Sequence, residues 1–506
     1  MATSEDFFGH PRGLATLFFT ELWERFSYYG MRALLVLFMT TAATGANPGL
    51  GFDTAKATSI YGLYTFSVYI LSLPGGWVAD NIWGQRRAVF RGGVIIALGH
   101  FTMAGPLVGL PDIPTFYLGL MFIVIGTGLL KPNVSTMVGD LYPKGGARRD
   151  AGFSIFYMGI NFGAIGGPLL CGWLAESGIG FLGLAANWHG GFSLAGFGMV
   201  LGLISYQAGY GSLGDAGLLD TDEPDAVVAA RTRNFYITAS IMGLLVAGFG
   251  VLMSTGAFGL TLQELAGYLG YLAVSITLAF FVYIIFFGGH TEEEQKRLGV
   301  IFWLFILAAL FWSGFEQAGS SMNLFAKDLT DRAMMGTVIP ASTLQLINPF
   351  FIVLLAPLFG SLWTWLATRD ANPSIPAKFA LGLFGLGAGF FVLSWGAANA
   401  SPETPVSASW LVVTYFLHTC GELCLSPVGL SSMTKLAPED RVGQMMGIWF
   451  VAAALGNLFA GLAAGLGLEG LGPSSLFWVV AMVMGGGGII ALLTSPFVTP
   501  LMGDVE

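Results

Sequence analysis

Charged residues are scarce in this chain. Lysine, arginine, aspartate and glutamate make up 10% of its 506 residues, whereas 55% of the residues are hydrophobic. Soluble domains carry about 25% charged residues, so the composition predicts an integral membrane protein. The net charge of −9 does not suit a nucleic-acid-binding protein. We therefore expect the lipid bilayer, and no nucleic acid, among its partners.

Cysteine and histidine are also rare, with three and five residues respectively. Three cysteines cannot form a disulfide framework, and the histidines do not follow the spacing of a metal site. The glycine-rich stretch from Gly126 to Lys131 lacks the GxxxxGK[ST] spacing of an ATP-binding loop and lies inside an apolar run. We predict no metal site, no catalytic residues and no enzyme activity.

Long apolar runs dominate the rest of the chain, and each is long enough to cross a bilayer as a helix, which takes about 20 residues. They do not alternate as the strands of a membrane barrel do, so the predicted class is all-α. The fourteen runs lie near residues 13–41, 56–80, 88–109, 114–139, 151–175, 191–209, 233–256, 267–287, 299–324, 341–366, 376–397, 408–433, 442–466 and 474–495.

The basic residues predict the orientation. Of the 21 Lys and Arg residues, 15 lie in segments on the amino-terminal side of the membrane, three on the other side and three within the runs. Positively charged loops stay in the cytoplasm. We expect a multi-pass protein of the plasma (inner) membrane with both termini in the cytoplasm.

The runs are arranged as six, two and six. Transporters often consist of two related bundles with the substrate near the midplane between them. We predict an amino-terminal six-helix bundle in residues 1–210, an acidic linker and inserted helix pair in 211–298, and a second six-helix bundle in 299–506. The acidic linker residues are Asp215, Asp220, Asp222, Glu223 and Asp225.

Seven charges are embedded well away from the ends of the apolar runs, although one charge at the bilayer centre costs about 2.5–3.5 kcal/mol on insertion scales. They are Glu21, Glu24, Arg25 and Arg32 in the first run, Lys131 in the fourth, Glu316 in the ninth and Glu422 in the twelfth. Four acids face three bases, and a buried carboxylate without a partner tends to bind a proton. If the seven share one cavity, one bound proton makes it neutral. A salt-bridge cluster that only holds helices together remains the alternative.

Neutral polar and aromatic residues accompany these charges. The candidates for substrate contact are Tyr29, Tyr69, Tyr157, Asn161, Trp312, Asn348 and Trp449. Each of them alone also fits a structural role, because Tyr and Trp anchor at membrane interfaces and Asn bridges helices.

Several segments match a known family. The stretch from Glu21 to Gly30 follows ExxERFxYYG, and the loop from Gly76 to Arg87 follows GxxxDxxxGxRR. Later segments read GLLKPN, FYMGINFG, FWSGFEQAGSS, LQLINP, PSIPAKFALG and GELCLSPVG. In this order the chain resembles the bacterial proton-coupled oligopeptide transporters, a branch of the major facilitator superfamily. The resemblance implies two six-helix bundles plus an inserted helix pair.

The resemblance also implies a symporter that imports di- and tripeptides with protons by alternating access, with no cofactor other than the co-transported proton. Proton coupling is expected at Glu21, Glu24, Arg25 and Glu316. Peptide binding is expected at Arg25, Tyr29, Arg32, Tyr69, Lys131, Tyr157, Asn161, Trp312, Asn348, Glu422 and Trp449. Gating is expected from the pairs Arg32–Glu316 and Lys131–Glu422.

Two rival functions stay open from the sequence. One is a proton-coupled carrier of another small anion such as nitrate, although relatives that carry nitrate often lack the intact ExxER motif and the acid in the twelfth run. The other is a membrane receptor or structural protein with a fixed charge cluster. Animal members of the family have a histidine where Gly62 stands here, so proton binding must rely on carboxylates.

Overall fold

The computed structural model describes residues 5–142, 146–219, 224–254, 259–334, 336–438, 441–470 and 472–503. This part of the chain is almost entirely helical. The helices are α1 (Arg12–Thr40), α2 (Thr54–Val78), α3 (Gln85–Met103), α4 (Asp112–Asp140), α5 (Ala147–Gly172), α6 (Trp188–Ala208), α7 (Asp225–Ser254), α8 (Leu262–Phe287), α9 (Glu292–Phe315), α10 (Ser321–Asp328), α11 (Ile347–Ala367), α12 (Ile375–Ala397), α13 (Ser409–Leu436), α14 (Val442–Gly470) and α15 (Gly472–Val498).

Short strands form three two-stranded ribbons in the described residues. β1 (Glu5–Phe7) pairs antiparallel with β2 (His10–Pro11), β3 (Thr330–Asp331) pairs in parallel with β6 (Val406–Ser407), and β4 (Ala333–Met334) pairs antiparallel with β5 (Thr337–Val338). The first ribbon precedes α1 at the predicted cytoplasmic face. The other two lie at the predicted outer face, where α10 and α12 end.

Each predicted apolar run falls on a helix, and most boundaries agree within a few residues. The run at 299–324 differs, because it contains both α9 and α10. Residues Glu316–Gly319 form a 3₁₀ turn between them. The turn reads EQAG, but polar residues also occur within membrane helices, so the sequence predicts one span and does not predict the break. The break occurs beside the embedded charge Glu316.

Eleven segments of the described chain have the length and hydropathy of a membrane span, and α1, α2 and α3 are not among them. The reason is their polar content. Five charged residues lie in α1, four of them embedded, and α3 carries Arg86, Arg87 and Arg91. Neighbouring helices shield α1, since each of its four embedded charges is less than a tenth exposed.

Glycine allows a close crossing of α3 with α4. A Cβ atom on Gly92 would lie 2.6 Å from the backbone oxygen of Gly126, and a Cβ on Gly126 would lie 2.6 Å from that of Gly92. Any side chain at either position would push the two backbones apart. Close approach through small residues is the usual packing mode of membrane helices.

The main contacts group the helices into two sets. α1 packs on α5 and α6, and α4 packs on α2 and α3; in the second half, α12 packs on α13 and α15, and α9 packs on α14. The two sets meet along α2 with α14, and along α5 with α11 and the preceding 3₁₀ segment Ala341–Leu346. The domain boundaries at 210 and 298 remain predictions.

The two inserted helices differ in their surroundings. α8 lies against α2, α9 and α14. By contrast, none of the most apolar window of α7 is buried in the protein. Of the predicted acidic linker, Asp220, Asp222 and Glu223 lie outside the described residues.

Candidate functional site

The charged stripe of α1 is buried. Glu21 and Glu24 are at most 1% exposed and Arg25 is 7% exposed. One helical turn separates Glu21 from Arg25, which brings Arg25 Nε within 2.7 Å of Glu21 Oε1, and Glu24 Oε2 lies 3.1 Å from the same nitrogen. Among the described residues, Glu21 Oε2 and both oxygens of Glu24 accept no hydrogen bond, so the contact of Glu24 with Arg25 is an ion pair only. One guanidinium thus faces two carboxylates, which leaves this group one proton short of neutrality.

A second ion pair joins the two halves of the protein. Arg32 on α1 donates from Nη2 to Glu316 Oε2 at 2.6 Å, and both side chains are buried. The break after α9 places Glu316 at the end of that helix, on the side that faces α1. Arg32 also donates from Nε to the hydroxyl of Tyr61 on α2 at 2.7 Å. The carboxylate therefore neutralises Arg32, and the phenol fixes its orientation.

Lys131 on α4 has a different environment. Its Nζ lies 3.8 Å from the ring centroid of Tyr69, in the position of a cation–π contact. It interacts electrostatically with Glu24, Glu21 and Glu316. No carboxylate of the described residues lies within 4.0 Å of this ammonium group, whose charge is therefore available to a ligand.

Glu422 on α13 is held by its own half of the protein. Asn348 on α11 donates from Nδ2 to Glu422 Oε2 at 3.0 Å and lies at the same distance from Thr419 Oγ1. The Lys131–Glu422 ion pair that we predicted as a gate is absent from the pairs formed between described residues. Each member has a partner in its own half instead. The gating role stays a prediction for a different conformation.

The remaining predicted residues surround these charges. Glu422 lies within electrostatic range of Glu316, Tyr157 and Tyr29, so residues of α1, α5, α13 and the turn after α9 approach one another here. Tyr157 is 45% exposed, and Asn161 is buried with its amide on the Tyr157 carbonyl.

Two tryptophans pack near glycines. A Cβ on Gly456 would lie 2.4 Å from the side chain of Trp312, and a Cβ on Gly429 would lie 2.2 Å from that of Trp449. The Trp312 Nε1 group is buried and bonds to no described residue. Trp312 therefore packs against α14, and Trp449 packs against α13.

The sequence analysis did not select three residues with direct contacts in or near this region. Tyr61 binds Arg32, Thr419 binds Asn348, and Glu176 spans the two halves at the predicted outer face. Tyr61 lies eight residues before Tyr69 on α2, and Glu176 is an acid near the end of an apolar run. The spacing of Tyr61 and the charge of Glu176 are visible in the sequence, but neither feature distinguishes a site residue from any other tyrosine or glutamate in a membrane helix.

The two halves are joined at the predicted outer face. Asn323 donates to the Ala33 carbonyl at 2.8 Å, Lys327 lies 3.2 Å from Thr41 Oγ1, and Glu176 accepts from the backbone amides of the 341–346 segment. The structure is therefore closed on the predicted outer side.

Comparisons with known proteins agree with this architecture. A family model described as the POT family matches residues 86–470. The chain is 44% identical to the peptide transporter YePEPT of Yersinia enterocolitica over 467 residues, which cover 91% of this chain and 88% of that relative. It is 36% identical to the di-/tripeptide transporter of Lactococcus lactis subsp. lactis over 509 residues, which cover 100% and 99%. A crystal structure of a peptide transporter POT in complex with sulfate has a TM-score of 0.87 at 38% identity, covering 98% of this chain and 97% of that one.

Proposed function

The chain belongs to the POT family, and on this premise we propose that it is a symporter that imports di- and tripeptides together with protons by alternating access. The relatives described above are named peptide transporters, so this protein is a transporter and not an enzyme. These names favour peptides over nitrate, the rival substrate. The predicted all-α major facilitator fold is confirmed by the match to solved transporters over nearly the whole chain.

The protein is a multi-pass membrane protein. We propose that it lies in the plasma (inner) membrane with both termini in the cytoplasm, as the distribution of Lys and Arg predicts. In this orientation the outer side, where the two halves are joined, faces the exterior. The lipid bilayer covers the apolar outer surfaces of the helices, including the unburied α7.

One observation carries the substrate assignment: cations and a carboxylate lie on opposite halves of the same polar region. Arg32 and Lys131 belong to the first half, with Arg25 nearby, and Glu422 belongs to the second. A zwitterionic peptide has a carboxylate for the first set and an ammonium for the second. Guanidinium binds carboxylate in a bidentate manner. Asn161 and Asn348 are placed to bind the peptide backbone, and the aromatic residues accept varied side chains.

Proton coupling follows from the charge balance. The seven embedded groups include one more acid than base, so one bound proton neutralises the set. We propose that the proton binds Glu316, which releases Arg32 to the peptide carboxylate. Glu21, Glu24 and Arg25 support this step by holding a further negative charge near Lys131. No cofactor takes part, since the proton itself is the co-transported ion.

The substrate assignment predicts strict recognition of both peptide termini. A site that hydrogen-bonds a group rejects analogues without it by up to about 10⁴–10⁵-fold, whereas an added methylene changes binding by only about 1–3 kcal/mol. Dialanine should compete well for uptake of labelled dialanine into proteoliposomes. Competition should be poor for N-acetylated or C-amidated dialanine, free alanine and tetra-alanine. Ala-Phe should compete better than either blocked peptide. Equal competition by the blocked peptides would contradict this binding mode.

A second prediction concerns Tyr61. Tyr61→Phe removes the oxygen that accepts from Arg32 Nε. A buried charged donor without a partner costs about 1–3 kcal/mol, so the ratio of Vmax to KM for dialanine should fall on the order of 10-fold or more. Tyr117→Phe is the matched control, because the Tyr117 hydroxyl bonds to no described residue. Equal uptake by the two variants would show that Tyr61 does not orient Arg32.

A further inference from the structure

The outer ends of α5 and α11 are joined through a single carboxylate. α5 continues into a wide helical turn, Trp173–Ser177, which carries Glu176. The chain leaves this turn at Gly178, where φ is +74° and a Cβ would lie 2.4 Å from the Leu184 carbonyl, so glycine suits this position. The turn directs Glu176 towards the other half of the protein.

Glu176 makes three hydrogen bonds there. Its Oε2 accepts from the backbone N–H of Ala341 at 2.9 Å, and its Oε1 accepts from that of Ser342 at 3.0 Å and from the Ser342 hydroxyl. These donors belong to the first turn of the segment that continues into α11. Bonds between an ionised acceptor and N–H or O–H donors are the stronger class of hydrogen bond.

The packing beside this contact is equally close. A Cβ on Gly172 would lie 2.4 Å from the Ser342 hydroxyl oxygen and 3.1 Å from that of Thr343. Ser342 is fully buried. The end of α5 therefore lies directly against the 341–346 segment, and no water layer separates them at this point.

The contact links two elements that carry proposed peptide-binding residues. α5 carries Tyr157 and Asn161, and the segment held by Glu176 leads directly to Asn348, which binds Glu422. The other seam between the halves differs in kind. Along α2 and α14 it is formed by small residues, where a Cβ on Gly62 would lie 3.2 Å from Cα of Gly461.

From this geometry we propose that Glu176 is a positioning residue for transport, which holds α5 against the start of α11 and must release it before the outer side opens. The proposal rests on the proposed function for its transport consequence only. Opening that seam breaks all three bonds to one carboxylate. Glu176 thereby sets the fraction of molecules that accept peptide from outside, since apparent affinity falls in proportion to the competent fraction.

Distance measurements test the conformational part without transport. Spin labels are placed at Leu184 and Val338, which are exposed at the outer ends of the two halves, in a background without the three native cysteines. We expect one short distance in the parent protein. Glu176→Ala should add a longer-distance population, and Glu176→Gln and Ser342→Ala should add smaller ones. Glu403→Ala, which removes an exposed outer carboxylate, should add none.

Uptake kinetics test the consequence. For Glu176→Ala we expect the apparent KM for external dialanine to fall about fivefold or more, with no increase in Vmax, because more molecules expose the site. A purely structural role would lower Vmax and leave KM and the distances unchanged. Unchanged distances in folded Glu176→Ala would overturn the proposal. If that variant does not fold, unchanged distances in both Glu176→Gln and Ser342→Ala would do so. A parent protein that moves no dialanine contradicts the proposed function, while the distances still decide the role of Glu176.

Discussion

Glu316→Gln should abolish proton-driven accumulation of peptide while leaving peptide exchange intact. Glutamine has the shape of a protonated glutamate, and its carbonyl oxygen can still accept from Arg32. It cannot bind or release a proton at neutral pH, so the Arg32 side chain no longer changes partner with the proton gradient. Because position 316 carries no negative charge in the mutant, Arg32 remains available to the peptide carboxylate with or without a gradient.

Two assays on the same proteoliposomes measure these effects. Under an imposed pH gradient, internal labelled dialanine should not exceed the external concentration in Glu316→Gln. In counterflow, where unlabelled peptide inside drives exchange without a gradient, the variant should retain most of the parent rate. Glu403→Gln, at an exposed carboxyl group of the predicted outer face, is the matched control and should accumulate peptide normally. Normal accumulation by Glu316→Gln would remove Glu316 from the proton-binding role.

Lys131→Ala should abolish both uptake and counterflow. The variant removes a cation expected to bind the peptide carboxylate and, in the conformation closed to the cytoplasm, to pair with Glu422. Breaking a buried pair by removing one partner costs about 3–5 kcal/mol, which corresponds to a loss of two or more orders of magnitude in an equilibrium constant. That shift favours the conformation in which the cytoplasmic ends stay apart.

Spin labels at the cytoplasmic ends of α4 and α13 separate the two roles of Lys131. Thr136 and Ser431 are exposed positions on these helices, and labels there should report a short and a long distance in the parent protein. Lys131→Ala should retain the long distance alone. If transport stops while both distances persist, Lys131 acts in binding and not in gating. Lys327→Ala, at a cation on the predicted outer face, should leave the short distance in place.

The sequence predicted the local features of the site well, because helical periodicity determines them. Glu21 and Arg25 are one turn apart, so their ion pair follows from the spacing alone. The pairing of Arg32 with Glu316 spans 284 positions. The sequence showed only that a buried cation and a buried acid both need partners, and the family resemblance suggested which two meet.

Other features depend on tertiary contacts that have no local signal. The break after α9 lies at Glu316 and Gln317, and since embedded polar residues also occur inside unbroken helices, the sequence did not locate it. Tyr61 and Glu176 have ordinary residue types for a membrane helix, and their partners come from distant parts of the chain. We propose the Lys131–Glu422 pair for the conformation closed to the cytoplasm, and a sequence does not specify which conformation a structure will adopt.

The central claim is that a proton gradient drives peptide import through this protein. Its most direct test is uptake of labelled dialanine into proteoliposomes with an acidic exterior, compared with liposomes at equal pH and with empty liposomes. We expect internal dialanine to rise above the external concentration only with protein and gradient together, and unlabelled dialanine to compete while nitrate does not. Competition by nitrate with no accumulation of dialanine would contradict the account and identify an anion carrier.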